Sequence, residues 1–449
     1  MKVVSFEEAV SYIHDGDTLL IGGSGGGHAV PEALIVALKQ RYLKETKPNR
    51  ITLLHPVGIG DNVSQGVGHL AYPGLLKRIV TAALVNSPSI QKMAEQDTVE
   101  AYTLPQGALS QLMREMAAGR PGLLSQVGLH TFVDPRLGGG RQSACAREDL
   151  VELATLAGKE WIFYKPYTVD VAFLRGTTAD QDGNVTMERE AVFGEMLSMA
   201  QATRRSGGIV IVQVARLAER GSLSSRQVKI PGMLVDLVVV DAGQRQTYQM
   251  DYSPAYAGEL HIPLSEITPL PLDPRKVIAR RAALELAPDA VCNLGSGVST
   301  GIANIAAEEG ILERIVLTNE QGLIGGAPSA DAGAAVNYTS IVDQPYQFDF
   351  YDGGGLDLAF LSFAQELGQE AWYVTERAVF RRGPDGLELV EIAPGVDLER
   401  DVLAQMDFRP RIRDDLKEMD RRLFLDRPMG LAADLAGRAP CHVPARLKK

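Results

Sequence analysis

The sequence predicts an α/β protein built from two related open, mainly parallel-sheet domains, the second of them short. Three observations carry that expectation. Short apolar strands run into glycine loops that open helices, the same order of elements occurs twice, and a proline-rich run separates the two copies.

In the first copy, Ser5-Phe6-Glu7-Glu8 has the form of a capping box and starts a helix to about His14. Asp15-Gly16-Asp17 turns into the strand Thr18-Leu19-Leu20-Ile21. The loop Gly22-Gly23-Ser24-Gly25-Gly26-Gly27 follows, then a helix opened by Pro31 that runs to about Arg41, then the strand Ile51-Leu54. Strand, loop, helix and strand in succession make a βαβ unit and hence a parallel sheet. Val169–Leu174, Gly208–Val212 and Leu234–Val240 read as further strands, and their near-continuous apolar character suits burial on both faces. Asp180-Gln181-Asp182-Gly183-Asn184 reads as a tight structural turn.

In the second copy, Asp273-Pro274 caps a helix over Arg275–Leu286, and Ala290–Leu294 is a strand. Gly295-Ser296-Gly297 is its loop, Thr300–Glu309 the helix, and Arg314–Leu317 the next strand. The run from Pro263 through Pro269, Pro271 and Pro274 is the linker. The expected domains are therefore residues 1–267 and 273–449.

At 449 residues, 45% hydrophobic and 22% charged, the chain has the composition of a soluble globular protein of more than one domain. A net charge of −11 argues against nucleic acid or an anionic membrane as partner. Cys145, Cys292 and Cys441 are scattered, so neither a disulfide framework nor a metal site is expected. The acidic start lacks a signal-peptide pattern and apolar runs are short, which points to a cytoplasmic location.

The segment Thr318-Asn319-Glu320-Gln321-Gly322-Leu323-Ile324-Gly325-Gly326 is the strongest candidate site. A carboxylate at the end of a parallel strand lies where open α/β sheets bind ligands. Such a group serves as a base, a metal or ribose ligand, or a covalent nucleophile. Gly295, Gly297 and Gly301 form G-x-G-x-x-x-G, which invites a dinucleotide reading; the first loop, with His28 in place of a glycine, does not repeat it. The structural explanation is that both loops only let the chain turn tightly. His28, His55 and His130 sit near no G-x-S-x-G elbow and read as structural.

Across almost its whole length the chain resembles the family I CoA-transferases, in particular the acetate/propionate group, and more distantly the 3-oxoacid CoA-transferases. The likeness rests on the Gly22–Gly27 loop, Leu104-Pro105-Gln106-Gly107, Thr131-Phe132-Val133-Asp134-Pro135-Arg136 and Ala179–Asn184. It continues through Ile230-Pro231-Gly232, Asn293-Leu294-Gly295, Glu320 and its loop, Asp352-Gly353-Gly354-Gly355, and Tyr373-Val374-Thr375-Glu376-Arg377. The resemblance implies a CoA-transferase-like fold with Glu320 as the catalytic nucleophile and Gln106 as oxyanion donor. Backbone amides near Gly354 and Gly355 would assist, and Gly25, Gly26, Asn293, Gly295, Gly297, Gly325 and Gly326 are the remaining expected CoA- and substrate-binding positions.

That chemistry passes through a glutamyl-CoA thioester by a ping-pong route and needs no cofactor, since the CoA thioester is a substrate. The expected partners are a short-chain acyl-CoA and a carboxylic acid, and the resemblance implies a homo-oligomer. Two other readings stand beside it: a CoA-binding degenerate member or acyl-CoA hydrolase, and a dinucleotide-dependent oxidoreductase. The first of these is prompted by one departure. After Leu361-Ser362-Phe363-Ala364-Gln365 the family pattern calls for a sizeable further segment, and here the chain runs almost at once into Trp372-Tyr373-Val374.

Overall fold

A computed structural model describes residues 1–295, 297–328, 334–350 and 368–441. The chain divides into two compact units. The first comprises Met1–Leu260 together with Glu320–Gly322 and the described residues from Ile341 onward to 350; the second holds His261–Asn319, the described residues of 323–340, and those after 367.

The first unit is organised by an eight-stranded sheet. Its order is Lys2–Val3, Leu237–Val240, Ile209–Val214, Val171–Arg175, Thr18–Ile21, Ile51–His55, Leu76–Thr81 and Glu100–Thr103. Every neighbouring pair is parallel. The apolar strands are covered on both faces, with Leu19, Leu20, Ile21, Phe173 and Leu174 all fully buried. Each such side chain contributes about 2 kcal/mol relative to exposure. The helix Phe6–Ser11 starts as expected, with the Ser5 hydroxyl accepting from the Glu8 N–H at 3.1 Å. The helix after the glycine loop, Glu32–Glu45, outlasts its expected end by four residues. Arg41 lies inside it, donating to the carbonyl of Ile13 at 2.8 Å, and the helix stops where Thr46 turns left-handed.

Among the described residues, two smaller sheets also belong to this unit. One orders Arg216–Ala218, Thr178–Asp180, Val185–Thr186 and Val228–Ile230. The turn Asp180–Asn184 sits in it as a structural clasp. The Asp180 carboxylate accepts from the N–H groups of Asp182 and Asn184, and Asn184 Oδ1 accepts from the Gly232 N–H at 2.9 Å. The other, Leu123–Ser125, Lys159–Tyr164 and Val151–Leu156, is antiparallel and was not expected from the sequence. Its strands are largely exposed on one face, so polar residues interrupt the apolar runs that mark the central strands.

In the second unit, Asp273 caps the helix Pro274–Ala283 by accepting from the Lys276 N–H at 2.9 Å. The strands Val291–Asn293 and Val316–Thr318 pair in parallel, and the helix Gly301–Glu308 connects them. Leu323–Ile324 returns antiparallel to Val316–Thr318. A separate sheet orders Trp372–Val374, Ala378–Gly383, Gly386–Ile392 and Arg411–Glu418. Arg280, fully buried, holds the following segment in place by donating to the carbonyls of Leu425 and Arg427 at 2.6 and 2.9 Å while pairing with Glu308 at 3.1 Å.

Candidate active site

Asn293 and Thr318 are register partners at the carboxyl ends of the two parallel strands of the second unit. Thr318 leads directly into a turn closed by the Asn319 N–H donating to the Leu323 carbonyl at 3.1 Å. Glu320 lies in that turn, so the strand-end position expected for it is the one observed. Its side chain is half-buried, and burial pushes its carboxyl above the ordinary glutamate range. Such a carboxylate is poorly solvated and correspondingly reactive when ionised.

Glu320 belongs to the same compact unit as Gln106. Gln106 is the first residue of the helix Gln106–Ala117, where Pro105 is the cap residue and makes no side-chain cap bond. The Gln106 Nε2 atom is buried without a hydrogen-bond partner among the described residues. A neutral amide donor left open in this way suits an oxyanion that forms only during reaction.

The glycine loops divide into two kinds. Gly25 and Gly26 lie in the first unit, in a short turn whose space the chain itself fills: the Tyr248 N–H donates to the Gly26 carbonyl at 2.8 Å. At Gly27, with φ +86°, a Cβ would stand 2.6 Å from the Tyr248 nitrogen. Gly325 and Gly326 lie in the second unit, and a Cβ on Gly326 would stand 2.1 Å from the Val336 carbonyl oxygen. These glycines have a structural reason to be there. Gly295 and Gly297 differ, since a Cβ on Gly297 meets nothing among the described residues and one on Gly295 only Ser299 Oγ at 3.9 Å. The Asn293 Oδ1 atom beside them is buried and has no partner among the described residues. Gly354 and Gly355, and the expected break after Gln365, lie outside the described residues.

Other sequence candidates are structural. His55 is fully enclosed, its Nδ1 2.5 Å from the Val57 carbonyl, and burial lowers its pKa to about 4. In the Thr131–Arg136 loop, the Asp134 carboxylate accepts from the His130 N–H at 3.0 Å and from the Arg136 guanidinium. Those bonds, the Arg136 side chain first, hold its pKa down at about 2. Among the described residues no group of three or more His, Cys, Asp or Glu side chains is placed to hold a metal, and no helix is long and apolar enough to cross a membrane.

Sequence reasoning missed a buried polar cluster in the first unit. Ser110, Glu195 and Gln344 are at most 1% exposed, and each has side-chain oxygens without a partner among the described residues. A lone acid in Ala191-Val192-Phe193-Gly194-Glu195-Met196-Leu197 was the available signal.

Residues 3–241 match the coenzyme A transferase family. This chain belongs to that family. It is 38% identical to the acetate CoA-transferase YdiF of Escherichia coli K12, over 96% of each chain. Identity with the caffeate CoA-transferase of Acetobacterium woodii is 37%, over 96% of this chain and 98% of that one. The crystal structure of the acyl-CoA transferase YdiF from E. coli O157:H7, in a thioester complex with CoA, superposes with a TM-score of 0.90 at 36% identity, covering 96% and 97% of the two chains. The protein is accordingly a CoA-transferase enzyme with the α/β architecture expected, and G-x-G-x-x-x-G does not mark a dinucleotide enzyme. The alignment with YdiF spans 511 positions against 449 residues here, so at least 62 positions of that relative have no counterpart in this chain.

Proposed function

We propose that this enzyme moves CoA between short carboxylic acids (acetate, propionate, butyrate or a 3-oxoacid) through a glutamyl-CoA thioester on Glu320. The observation that carries the reading is Glu320 itself: a carboxyl raised by burial, at a strand end, in the same unit as the unpartnered amide of Gln106. The ionised Glu320 attacks the thioester carbonyl and expels CoA thiolate, leaving an acyl-glutamyl anhydride. The thiolate attacks the glutamyl carbonyl and releases the first acid as its carboxylate. The acceptor carboxylate then runs both steps in reverse, and no net proton or electron is consumed. Gln106 Nε2 donates to the oxyanion of each tetrahedral state without bringing a cation that would pair with Glu320. CoA enters as a substrate, no resident cofactor takes part, and the enzyme works as a homo-oligomer, which light scattering tests.

Support for the substrate class comes from the relatives, one named for acetate and one for caffeate. The decisive experiment is incubation with acetyl-CoA, borohydride reduction and peptide mapping. Label on Glu320 with loss of activity is the expected result; label elsewhere, or full transfer by Glu320→Ala, sinks the reading. Gln106→Ala should lower kcat by about 10²–10³ while CoA affinity holds, and a change confined to KM would return Gln106 to a structural role.

A second reading has one observation in its favour. The positions missing relative to YdiF would leave a site more open to water, so that water replaces the acceptor acid and the enzyme acts as an acyl-CoA hydrolase. Parallel assays of acyl transfer and of CoA release without acceptor separate the two.

A further inference from the structure

Glu195 is a buried acid that neither the nucleophile nor the oxyanion donor accounts for. It immediately precedes the helix Met196–Arg205 and makes no side-chain cap bond to it, so capping does not explain the residue. Its main chain is fixed on both sides. The Gln344 N–H donates to the Gly194 carbonyl at 3.0 Å, and the Met199 N–H and Ser198 hydroxyl both donate to the Glu195 carbonyl. Its side chain is 1% exposed, with both carboxyl oxygens unpartnered among the described residues.

What the carboxyl faces is the helix Gln106–Ala117, at Ser110, whose hydroxyl is likewise buried and without a well-formed bond. Ser110 stands one turn beyond Gln106, and residues four apart lie over one another on a helix face. Three side chains, Glu195, Ser110 and Gln106, thus have unused hydrogen-bonding capacity inside one unit. A buried group left in that condition costs stability, and an apolar residue of similar size would remove the cost. Catalytic hydrogen bonds are often loose in the unliganded enzyme and close when substrate is bound.

We propose that Glu195 is a positioning residue of the transfer reaction, bracing Ser110 and through it the side chain of Gln106. The proposal rests on the assignment of Gln106 as oxyanion donor. Glu195 serves as a neutral acid: its O–H donates to Ser110 Oγ, which frees the Ser110 O–H to hold Gln106 in one rotamer. Burial favours that state and raises its pKa to about 7, outweighing the contact with Ser110, which by itself favours the carboxylate. The charged group acting on it is Asp343, which raises it further and is itself offset by Lys229. On the facing helix Arg114 is paired with Asp349, and Glu115 with Arg120. The nearby buried Glu190 is paired with Arg175.

The test is a steady-state comparison, with acetyl-CoA and propionate, of the parent, Glu195→Leu, Glu195→Gln, Ser110→Ala, Gln106→Ala and the Glu195→Leu/Gln106→Ala double variant. Glu195→Leu and Ser110→Ala should each lower kcat by about 10-fold to 100-fold with KM for acetyl-CoA unchanged. Glu195→Gln, which keeps a neutral donor, should restore most of that loss. In the Gln106→Ala background Glu195→Leu should add nothing further. Normal kcat in Ser110→Ala, or an equal additional loss in the double variant, overturns the proposal even if Glu195→Leu fails to fold. Normal kcat in Gln106→Ala instead overturns the oxyanion assignment beneath it.

Discussion

The Val342 N–H donates to the Gly322 carbonyl at 2.9 Å, and a Cβ on Gly322 would come within 2.1 Å of the Val342 carbonyl oxygen. That contact pins the chain two residues past Glu320 to the segment leading into Gln344. Glu320, the proposed nucleophile, therefore sits on a short, tied loop.

The first expectation follows from the desolvation of Glu320. In the proposed mechanism only the ionised carboxylate attacks, and burial raises its pKa, so activity should fall as pH drops through a value above the 4.5 ordinary for glutamate. A pH profile of kcat/KM should show this acid limb. A limb at or below the ordinary value would mean that another group controls the attack.

The second concerns Gly27 and Gly16, which share a left-handed backbone, φ +86° and +84°. Gly16→Ala meets open space and should cost only the conformational strain, about 1–2 kcal/mol. Gly27→Ala must also displace Tyr248, adding about 1–3 kcal/mol of overpacking. Urea melts of both variants measure the difference, and equal midpoints would show that Tyr248 yields freely.

A third prediction addresses the buried pair Arg175 and Glu190, whose side chains lie 3.0 Å apart at 5% and 1% exposure. Arg175 also donates to the carbonyls of Val30 and Arg245, clamping the end of the glycine loop to the Tyr248 segment. Arg175→Met strands the carboxylate and should cost about 3–5 kcal/mol. The double variant Arg175→Met/Glu190→Met should be less damaged than that single one; thermal melts giving the reverse order would refute the argument.

The fourth reads Glu195 through stability. Its folded-state pKa, about 7, lies above the unfolded 4.5. The folded protein therefore holds this proton more tightly, and the contribution is lost as pH rises from the lower value through the upper. Glu195→Gln escapes that loss, so it should match the parent at about pH 4 and below and exceed it by about 3 kcal/mol at pH 8. A constant difference across this range would mean that Glu195 ionises normally.

Local signals made much of the fold legible. Thr18–Ile21 is a strand with the bounds its apolar run suggests, and the caps at Ser5 and Asp273 form as their side chains dictate. The place of Glu320 at a strand end was legible for the same reason, because a strand end is a local property. What stayed hidden depends on distant partners. Glu195 faces Ser110 of the helix Gln106–Ala117 and is held through the Gln344 N–H at Gly194, and the filling of the first glycine loop comes from Tyr248. The hairpin Val151–Tyr164 escaped because a sheet exposed on one face carries too many charges to stand out from a loop.

The order of the large sheet also bears on how the protein is made. Thr18–Ile21 lies between Ile51–His55, which leaves the ribosome soon after it, and Val171–Arg175, which follows much later. One flank of a largely apolar strand is thus bare while the intervening chain is synthesised, an open template for another nascent chain or a chaperone. Translation arrested near residue 165 should yield chains that are captured by a chaperone trap, and arrest well past residue 240 should not; equal capture at both points would show that the edge is shielded by other means.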